Sequence, residues 1–122
     1  MKLAVVGSRD FHDYAWLEQC LLSVTGDEMP EAVVSGGARG ADELAGRFAG
    51  ERGIPLVVVP AEWDRFGRSA GPMRNEKIVD LADVVVAFWD GRSRGTRDTL
   101  SRARRAGRRV VIFPCEGAGG TG

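Results

Sequence analysis

The stretch Ala32-Val33-Val34-Ser35-Gly36-Gly37-Ala38-Arg39-Gly40-Ala41-Asp42 places a glycine-rich loop between a short apolar run and a helical pattern. Glycines at such a junction leave backbone N–H groups uncovered at the start of a helix, where an anion binds at low steric cost. The same arrangement recurs in Gly7-Ser8-Arg9-Asp10-Phe11 and in Asp90-Gly91-Arg92-Ser93-Arg94-Gly95-Thr96. Three such loops in 122 residues predict a site for a phosphorylated small molecule.

Apolar runs and helical patterns alternate around these loops. Strand-like runs cover residues 2–6, 31–35, 54–59, 83–89 and 109–113; helical patterns cover residues 14–24, 42–52 and 96–106, and a further helix begins at Gly71-Pro72. That further helix is expected to bury a stripe of Ile78, Leu81 and Ala82, and residues 61–69 are expected to form a longer loop. Continuously apolar strands separated by helices indicate a parallel α/β sheet covered on both faces.

Right-handed crossovers predict a doubly wound, five-stranded parallel sheet in the order 3-2-1-4-5. We expect a single three-layer α/β/α domain over residues 1–114 and a disordered, glycine-rich tail over residues 115–122. In this order the chain changes direction between the first and fourth strands, and a crevice opens there at the carboxyl ends of the strands. The three glycine loops follow strands 1, 2 and 4, so they converge on that crevice.

Composition narrows the classes of function. The 17 Lys and Arg residues balance the 17 Asp and Glu residues, so we do not expect a nucleic-acid partner. No metal site is expected, because neither Cys20 nor Cys115 has a neighbour at metal-ligand spacing. His12 is the only histidine, which argues against Ser-His-Asp and Cys-His triads. The apolar runs are too short for a signal peptide or a membrane span, so we expect a cytoplasmic protein without a membrane partner.

The first two loops supply several candidate ligand contacts. Arg9 carries forked donors suited to phosphate, and Ser8 offers a hydroxyl and an N–H, although Ser8 and Asp10 could instead cap the following helix. Adjacent glycines at 36 and 37 permit close approach of a ligand to the backbone. This loop is neither a Walker A loop nor a dinucleotide fingerprint, which disfavours ATP hydrolysis and ordinary hydride transfer. Asp42 either caps its helix or binds a ribose hydroxyl.

Other candidates lie in the second half of the chain. Arg74 and Asn75 stand in the first turn of a helix, where a cation opposes the helix dipole unless an anion is bound. Trp63 and Phe66 either stack on a base or anchor their loop on the sheet. The arginines between residues 92 and 109 either form a solvated helix face that compensates the helix dipole or contact a phosphate or nucleic acid. The predicted ligand-binding residues are Gly7, Ser8, Arg9, Ser35, Gly36, Gly37, Arg39, Asp42, Arg74, Asn75, Trp89, Gly91, Ser93, Gly95 and Thr96.

Four segments of the chain resemble the SLOG superfamily, in its small branch related to YspA and YpsA. These are GSRDF at 7–11, SGGARGAD at 35–42, AGPMRN at 70–75 and FWDGRSRGT at 88–96. The superfamily also contains the DNA-processing protein DprA and the LOG nucleoside-monophosphate phosphoribohydrolases. The resemblance implies a Rossmann-like fold, a nucleotide or nucleotide-derived ligand, a role as a sensor or as a regulatory or processing module, and homodimerisation. It implies no cofactor.

The LOG enzymes carry a Gly-Gly-x-Gly-Thr-x-x-Glu loop and an arginine at an upstream helix start. By resemblance, Gly95 and Thr96 match the Gly-Thr pair and Arg74 matches the arginine, whereas Thr99 occupies the position of the glutamate. Asp98 is one residue early and is expected to point elsewhere on the helix. The resemblance therefore leaves a phosphoribohydrolase without its acidic group.

Three functions follow from these residues. The first is binding of a nucleotide-like small molecule, as a sensor or a regulatory or processing module. The second is N-glycosidic hydrolysis of a nucleotide, with Arg74 binding the phosphate and Asp90 as the catalytic aspartate, although Asp10 and Asp64 are also candidates for the acid. The third is DprA-like binding of nucleic acid through the arginine-rich segment, against which the neutral net charge argues.

Overall fold

The computed structural model of the chain describes residues 1–116, whose strands form one parallel sheet in the order β3-β2-β1-β4-β5. The elements in chain order are β1 (Lys2–Gly7), α1 (Tyr14–Thr25), β2 (Ala32–Ser35), α2 (Ala41–Arg52), β3 (Leu56–Val58), α3 (Trp63–Phe66), a 3₁₀ turn (Gly67–Ser69), α4 (Ala70–Leu81), β4 (Val84–Phe88), α5 (Arg94–Arg105) and β5 (Arg109–Phe113). The predicted Rossmann-like α/β fold and strand order are therefore confirmed. Residues 117–122, most of the predicted tail, lie outside the described residues.

Alternate side chains of β1 pack into two separate apolar cores, one on each face of the sheet. Leu3 and Val5 pack with the buried residues of α1 and α2, while Ala4 and Val6 pack with those of α4 and α5. This alternation follows from the two-residue period of a strand. The result is the three-layer arrangement predicted from the continuous apolar runs.

The central strands fix the position of the crevice. Gly7, at the end of β1, lies in register with Phe88, at the end of β4, so the loops that follow these strands leave the sheet side by side. The backbone N–H of Ser8 donates to the Phe88 carbonyl at 3.0 Å, which extends the pairing by one residue. The chain reverses its direction of winding here, as the strand order requires.

The segment predicted as a loop over residues 61–69 is instead helical. It contains α3 and the 3₁₀ turn, and α4 begins directly after them at Ala70, so Pro72 is the third residue of α4 and not the first. A four-residue helix is too short to show an apolar period in the sequence, which is why the pattern did not indicate it. Leu81 is also exposed, so the apolar residues buried near the end of α4 are Ile78 and Val79, and Ala82 is buried directly after the helix.

The sheet is less completely covered at its β3 edge than at its centre. Leu56, Val57 and Val58 are 41%, 39% and 49% exposed, because no strand or helix covers this edge as completely as the helices cover the centre. In contrast, every residue of β4 is buried. Within residues 1–116, no helix has both the length and the apolar character needed to cross a bilayer.

Candidate functional site

A cavity of about 350 Å³ opens at the carboxyl ends of the central strands. Its walls come from the loop after β1, the start of α2, the first turns of α4 and α5, and the loop after β4. Ten of the residues predicted to bind ligand or to act in catalysis line it: Gly7, Ser8, Arg9, Asp42, Arg74, Asn75, Asp90, Ser93, Gly95 and Thr96. Asp10, Ala38, Ile78 and Thr99 also contribute to its lining.

Ser8 connects the elements around this cavity. Its carbonyl accepts hydrogen bonds from Phe11 N at 3.2 Å and from Ala41 N at 3.3 Å, so the first loop is tied to the start of α2. Its hydroxyl oxygen accepts from Asp90 N at 3.4 Å, which adds the loop after β4. The alternative that Ser8 and Asp10 cap α1 is wrong, because the side chain of Asp13 caps that helix by accepting from Trp16 N at 3.1 Å.

Gly40 allows the first two glycine loops to touch. A Cβ atom at this position would overlap the carbonyl oxygen of Ser8 and would lie 2.6 Å from the carbonyl oxygen of Arg9. The residue also has a φ of +78°, which L-residues rarely adopt. Only glycine permits this close approach, and the backbones of the two loops therefore form a single floor for the crevice.

Arg74 is held against the second glycine loop. Its Nη1 donates to the Gly36 carbonyl at 3.2 Å, and its Nε donates to Asn75 Oδ1 at 3.1 Å. A Cβ at Gly36 would lie 2.6 Å from Arg74 Nη1 and 2.9 Å from Asp42 Oδ2, so the absence of a side chain at Gly36 makes room for both charged groups. Because α4 begins at Ala70, Arg74 is the fifth residue of the helix and does not lie in its first turn as predicted. Its hydrogen bonds nevertheless hold the guanidinium at the wall of the crevice.

Asp42 is the buried carboxylate of the crevice, only 9% exposed. Its Oδ2 accepts from Ala38 N at 3.2 Å and closes the glycine loop, while Gly40 occupies the N-cap position of α2 without a side-chain bond. Burial raises the pKa of Asp42, although the hydrogen bond from Ala38 and the nearby charge of Arg74 act in the opposite direction. A carboxylate in this position can accept a hydrogen bond from a ligand hydroxyl.

Asn75 joins α4 to α5. The side chain is buried, and its Nδ2 donates to Asp98 Oδ2 at 3.0 Å and to the Gly95 carbonyl at 3.4 Å. Because its Oδ1 accepts from Arg74, Asn75 also fixes the guanidinium relative to the start of α5. The amide thus lies at the cavity wall with its polar atoms engaged by protein groups.

The loop after β4 ends in a well-capped helix. Ser93 caps α5 by accepting from Thr96 N at 3.4 Å, and the Ser93 and Thr96 hydroxyl oxygens are 3.0 Å apart. Asp90 Oδ1 accepts from Arg92 N at 2.8 Å and from Ser93 N at 3.0 Å. These backbone hydrogen bonds lower the pKa of the exposed Asp90 carboxyl, which favours its ionised form.

The position that carries a glutamate in the LOG loop is occupied by Thr99 here, so it supplies no acid. Thr99 is buried, and its hydroxyl donates to the Gly95 carbonyl at 3.0 Å within α5. Asp98 points away from the cavity, as expected, because its Oδ2 accepts from Asn75 and from Arg102 Nε at 2.8 Å. Asp10, Asp42 and Asp90 are the carboxylates that line this cavity, whereas Asp64, another candidate for the catalytic acid, does not line it.

A second cavity of about 350 Å³ adjoins the first on the β3 side. The two cavities share Arg9, Ala38 and Arg74 as lining residues, so they form one trough. The second cavity adds Gly36, Gly37, Arg39, Pro60, Ala61 and Trp63, and its lining includes no acidic residue. Positive charge therefore predominates at this end of the trough, whereas Asp10, Asp42 and Asp90 line the other end.

Residues 1–66 match the family described as "YAcAr: YspA, cpYpsA-related SLOG family". This chain belongs to that SLOG family. It is also 38% identical over 123 residues to the Gene 61 protein of Mycobacterium phage D29, an alignment that covers 92% of this chain and 95% of the phage protein.

Two solved structures of DNA processing protein A share the fold of this SLOG protein. The Streptococcus pneumoniae structure has a TM-score of 0.76 at 24% identity and matches 98% of this chain, and the Helicobacter pylori structure has a TM-score of 0.71 at 18% identity and matches 93%. The chain spans 52% and 65% of the lengths of these two proteins. The H. pylori protein is described as binding single-stranded DNA.

The prediction that nucleic acid is not a partner is therefore wrong, and the error lies in its use of the net charge. It rested on the balanced net charge, but a protein with this fold binds single-stranded DNA. Net charge sums over the whole surface and does not report how charge is distributed. In this SLOG protein Arg9, Arg39 and Arg74 line the β3 end of the trough, where no acidic residue lines it, and the net charge could not indicate this distribution.

The structure does not bring every predicted residue of the SLOG chain to the trough. Ser35 is buried, and its hydroxyl donates to the Asp42 carbonyl at 3.2 Å and accepts from Gly37 N at 3.2 Å, so it holds the loop together. Trp89 donates through Nε1 to the Ser93 carbonyl at 3.1 Å. Neither of these residues nor Gly91 lines either of the two adjoining cavities.

Some residues that line the first cavity are absent from the predicted ligand-binding set. Asp10 belongs to the first glycine loop, and Thr99 lies one helical turn after Thr96, so spacing could have indicated both. Ile78 and Ala38 have no chemical signal in the sequence. In residues 1–116, no group of three or more His, Cys, Asp and Glu side chains is arranged to hold a metal ion.

Proposed function

We propose that this SLOG protein binds a nucleotide or nucleotide-derived ligand through its phosphate, in the trough at the carboxyl ends of β1, β2 and β4. The observation that carries the proposal is the convergence of three glycine loops on one cavity flanked by Arg9 and Arg74. Parallel α/β sheets bind ligands at this edge, and helix starts and arginines both favour anions. The function is therefore that of a sensor or of a regulatory or processing module.

The energetics require several of these groups to act together. A hydrogen bond to a charged group contributes roughly 1.5–3 kcal/mol, whereas a micromolar complex needs about 8 kcal/mol. Arg74 alone cannot supply that amount, but Arg74, Arg9 and the start of α5 together can. Because Arg74 is already fixed by Gly36 and Asn75, little side-chain entropy is lost when the phosphate binds.

Asp42 supports a ligand with a sugar beside the phosphate. Its carboxylate lines the same cavity as Arg74 and is close enough for the arginine charge to act on its pKa. A carboxylate disfavours a second phosphate at its own position but accepts hydrogen bonds from hydroxyl groups. A ribose hydroxyl therefore suits Asp42, directly beside a phosphate that is held by Arg74.

Isothermal titration calorimetry tests the proposal with a panel of AMP, CMP, GMP, UMP, ADP, a cyclic mononucleotide and ADP-ribose, and with adenosine as the phosphate-free control. We expect at least one phosphorylated member to bind at micromolar concentration and adenosine to bind far more weakly. Absence of heat and of competition across the whole panel would contradict the proposal. Release of free base during the titration would instead indicate N-glycosidic hydrolysis, for which the LOG glutamate is replaced by Thr99.

A second candidate function is binding of single-stranded nucleic acid. Arg9, Arg39 and Arg74 line the cavity at the β3 end, and a row of cationic side chains along a trough suits consecutive phosphates. The similar fold of the DNA-binding H. pylori protein gives this candidate a specific ground. It predicts that affinity for an oligonucleotide exceeds that for a mononucleotide and falls steeply with salt.

A further inference from the structure

Trp63 differs from the other two tryptophans of the chain. Trp16 and Trp89 are half-buried, and their Nε1 atoms donate to the carbonyls of Pro114 at 2.8 Å and Ser93 at 3.1 Å. The Trp63 side chain is 52% exposed, and its indole N–H donates to no acceptor within residues 1–116. An indole that is neither buried nor hydrogen-bonded contributes little to folding. Its apolar surface also remains in contact with water, which is unfavourable.

One edge of the Trp63 ring is nevertheless supported. A Cβ atom at the buried Gly71 would lie 3.2 Å from Trp63 Cη2, so the indole rests against the backbone at the start of α4. The short helix α3 holds the residue, and Gly67 ends that helix. The ring is therefore positioned by its neighbours while much of its surface remains open.

The open surface lies beside the arginine end of the trough. Trp63 lines the second cavity together with Arg9, Arg39 and Arg74, and Arg9 and Arg74 also line the first. The other aromatic residue of α3, Phe66, is half-buried and has the Arg65 guanidinium 4.8 Å from its ring centroid. Of the two aromatic residues in this segment, Trp63 is thus the one presented to a ligand.

We infer that Trp63 is a stacking platform for a nucleobase whose phosphate is held by Arg9 and Arg74. The inference rests on the proposed function and names the part of the ligand that the β3 end recognises. Every base has a flat apolar face, so stacking on an indole is tolerant of base identity, and alanine substitution of such a platform weakens binding about 5- to 100-fold. Because the ribose joins the base to the phosphate, it lies between the Trp63 ring and the shared arginines, with a hydroxyl turned towards Asp42, whose carboxylate lies beside Arg74 at Gly36.

The test compares a ligand with a base and a ligand without one. AMP and ribose 5-phosphate are titrated into the wild-type chain, Trp63→Ala and Trp63→Phe, and circular-dichroism melting checks that each variant folds. We expect Trp63→Ala to weaken AMP binding about 5- to 100-fold and to leave ribose 5-phosphate binding unchanged. Trp63→Phe, which keeps an aromatic face, should retain most of the AMP affinity.

Each of the other possible results contradicts either the inference about Trp63 or the proposed function. Equal losses for AMP and ribose 5-phosphate in Trp63→Ala would make Trp63 a structural residue and overturn the inference. Unchanged AMP affinity in that variant would overturn it as well, while the proposed function would stand. Failure of AMP to bind the wild-type chain would overturn the inference, and failure of the whole nucleotide panel would overturn the proposed function beneath it.

Discussion

Arginines occur in two regions of this molecule, and their surroundings differ. In the trough, Arg74 is bonded to the Gly36 carbonyl and to Asn75, and among residues 1–116 its guanidinium lies within 4.0 Å of no carboxylate oxygen. On α5, Arg102 is paired with Asp98 at 2.8 Å and with Glu76 at 3.8 Å. The first arginine keeps its charge available to a ligand, and the second has its charge balanced by the protein.

Three other arginines near the C-terminus, like Arg74, lie within 4.0 Å of no carboxylate oxygen among residues 1–116, but they occupy other places on the molecule. Arg105 donates to the Ser101 carbonyl at 3.4 Å and Arg108 to the Val79 carbonyl at 3.2 Å, and Arg97 lies over the Trp89 ring. Helix α5 runs for 12 residues from the crevice, about 18 Å, so its last arginines lie far from the ligand trough. The position of an arginine in the fold therefore indicates an anion site better than the number of arginines in a segment does.

Arg74→Ala should have the largest effect. We expect about 10- to 100-fold weaker binding of the best nucleotide of the panel, because one charge-assisted contact contributes roughly 1.5–3 kcal/mol. The matched control is Arg104→Ala on the exposed face of α5, which should bind as the wild type does. Calorimetry measures both, and equal losses in the two variants would show that position does not distinguish the two groups of arginines.

Arg39→Gln should have a smaller effect that sharpens the comparison for nucleic acid. If an oligonucleotide binds along the trough, removal of one phosphate contact should make the slope of log K against log salt less steep by about 0.7–1. Arg105→Gln, which removes the same charge from the far end of α5, should leave the slope unchanged. Fluorescence anisotropy with a labelled oligodeoxythymidine at several salt concentrations measures this, and a slope change in Arg105→Gln would refute the assignment.

Arg102→Ala tests the other side of the comparison, because its effect should be on stability. We expect a decrease of about 0.2–1 kcal/mol in the free energy of unfolding, the range measured for exposed ion pairs, with ligand affinity unchanged. Urea denaturation and calorimetry on the same sample separate the two quantities. A loss of affinity without a loss of stability would mean that Arg102 belongs functionally with Arg74.

The pH dependence of stability gives the smallest expected signal. Burial raises the pKa of Asp42 above the value of about 3.9 that an aspartate has in an unfolded chain. The folded chain then binds the carboxyl proton of Asp42 more tightly than the unfolded chain does. The contribution of Asp42 to stability therefore decreases as the pH rises from the unfolded-state pKa through the raised pKa of the folded state.

Asp42→Asn removes that dependence while its amide oxygen can still accept from Ala38. The free energy of unfolding of Asp42→Asn minus that of the wild type should therefore be larger at pH 7 than at pH 4. Thermal melts at the two pH values check the sign. A relative stability that decreases with rising pH would mean that Arg74 outweighs burial at this carboxylate.

The sequence predicted the observed sheet order because the strands are continuous apolar runs and crossovers between parallel strands are right-handed as a rule. It also predicted that the loops after β1, β2 and β4 share one cavity, since these strands are neighbours. The contact of Arg74 with Gly36 could not be predicted, because 38 residues separate the two and no local pattern records the approach. Ser35 was misleading for a similar reason: a serine beside two glycines resembles a ligand contact, but its hydroxyl is used within the loop.

The tight contact at Gly40 also bears on how the recognition properties of this protein could be altered. Since the loops after β1 and β2 meet backbone to backbone, neither can swing outward without moving the other. Substitutions at the floor would therefore damage folding before they changed selectivity. A new preference among small molecules would be engineered at the rim instead, where the side chains of Arg9, Asp10 and Trp63 are exposed.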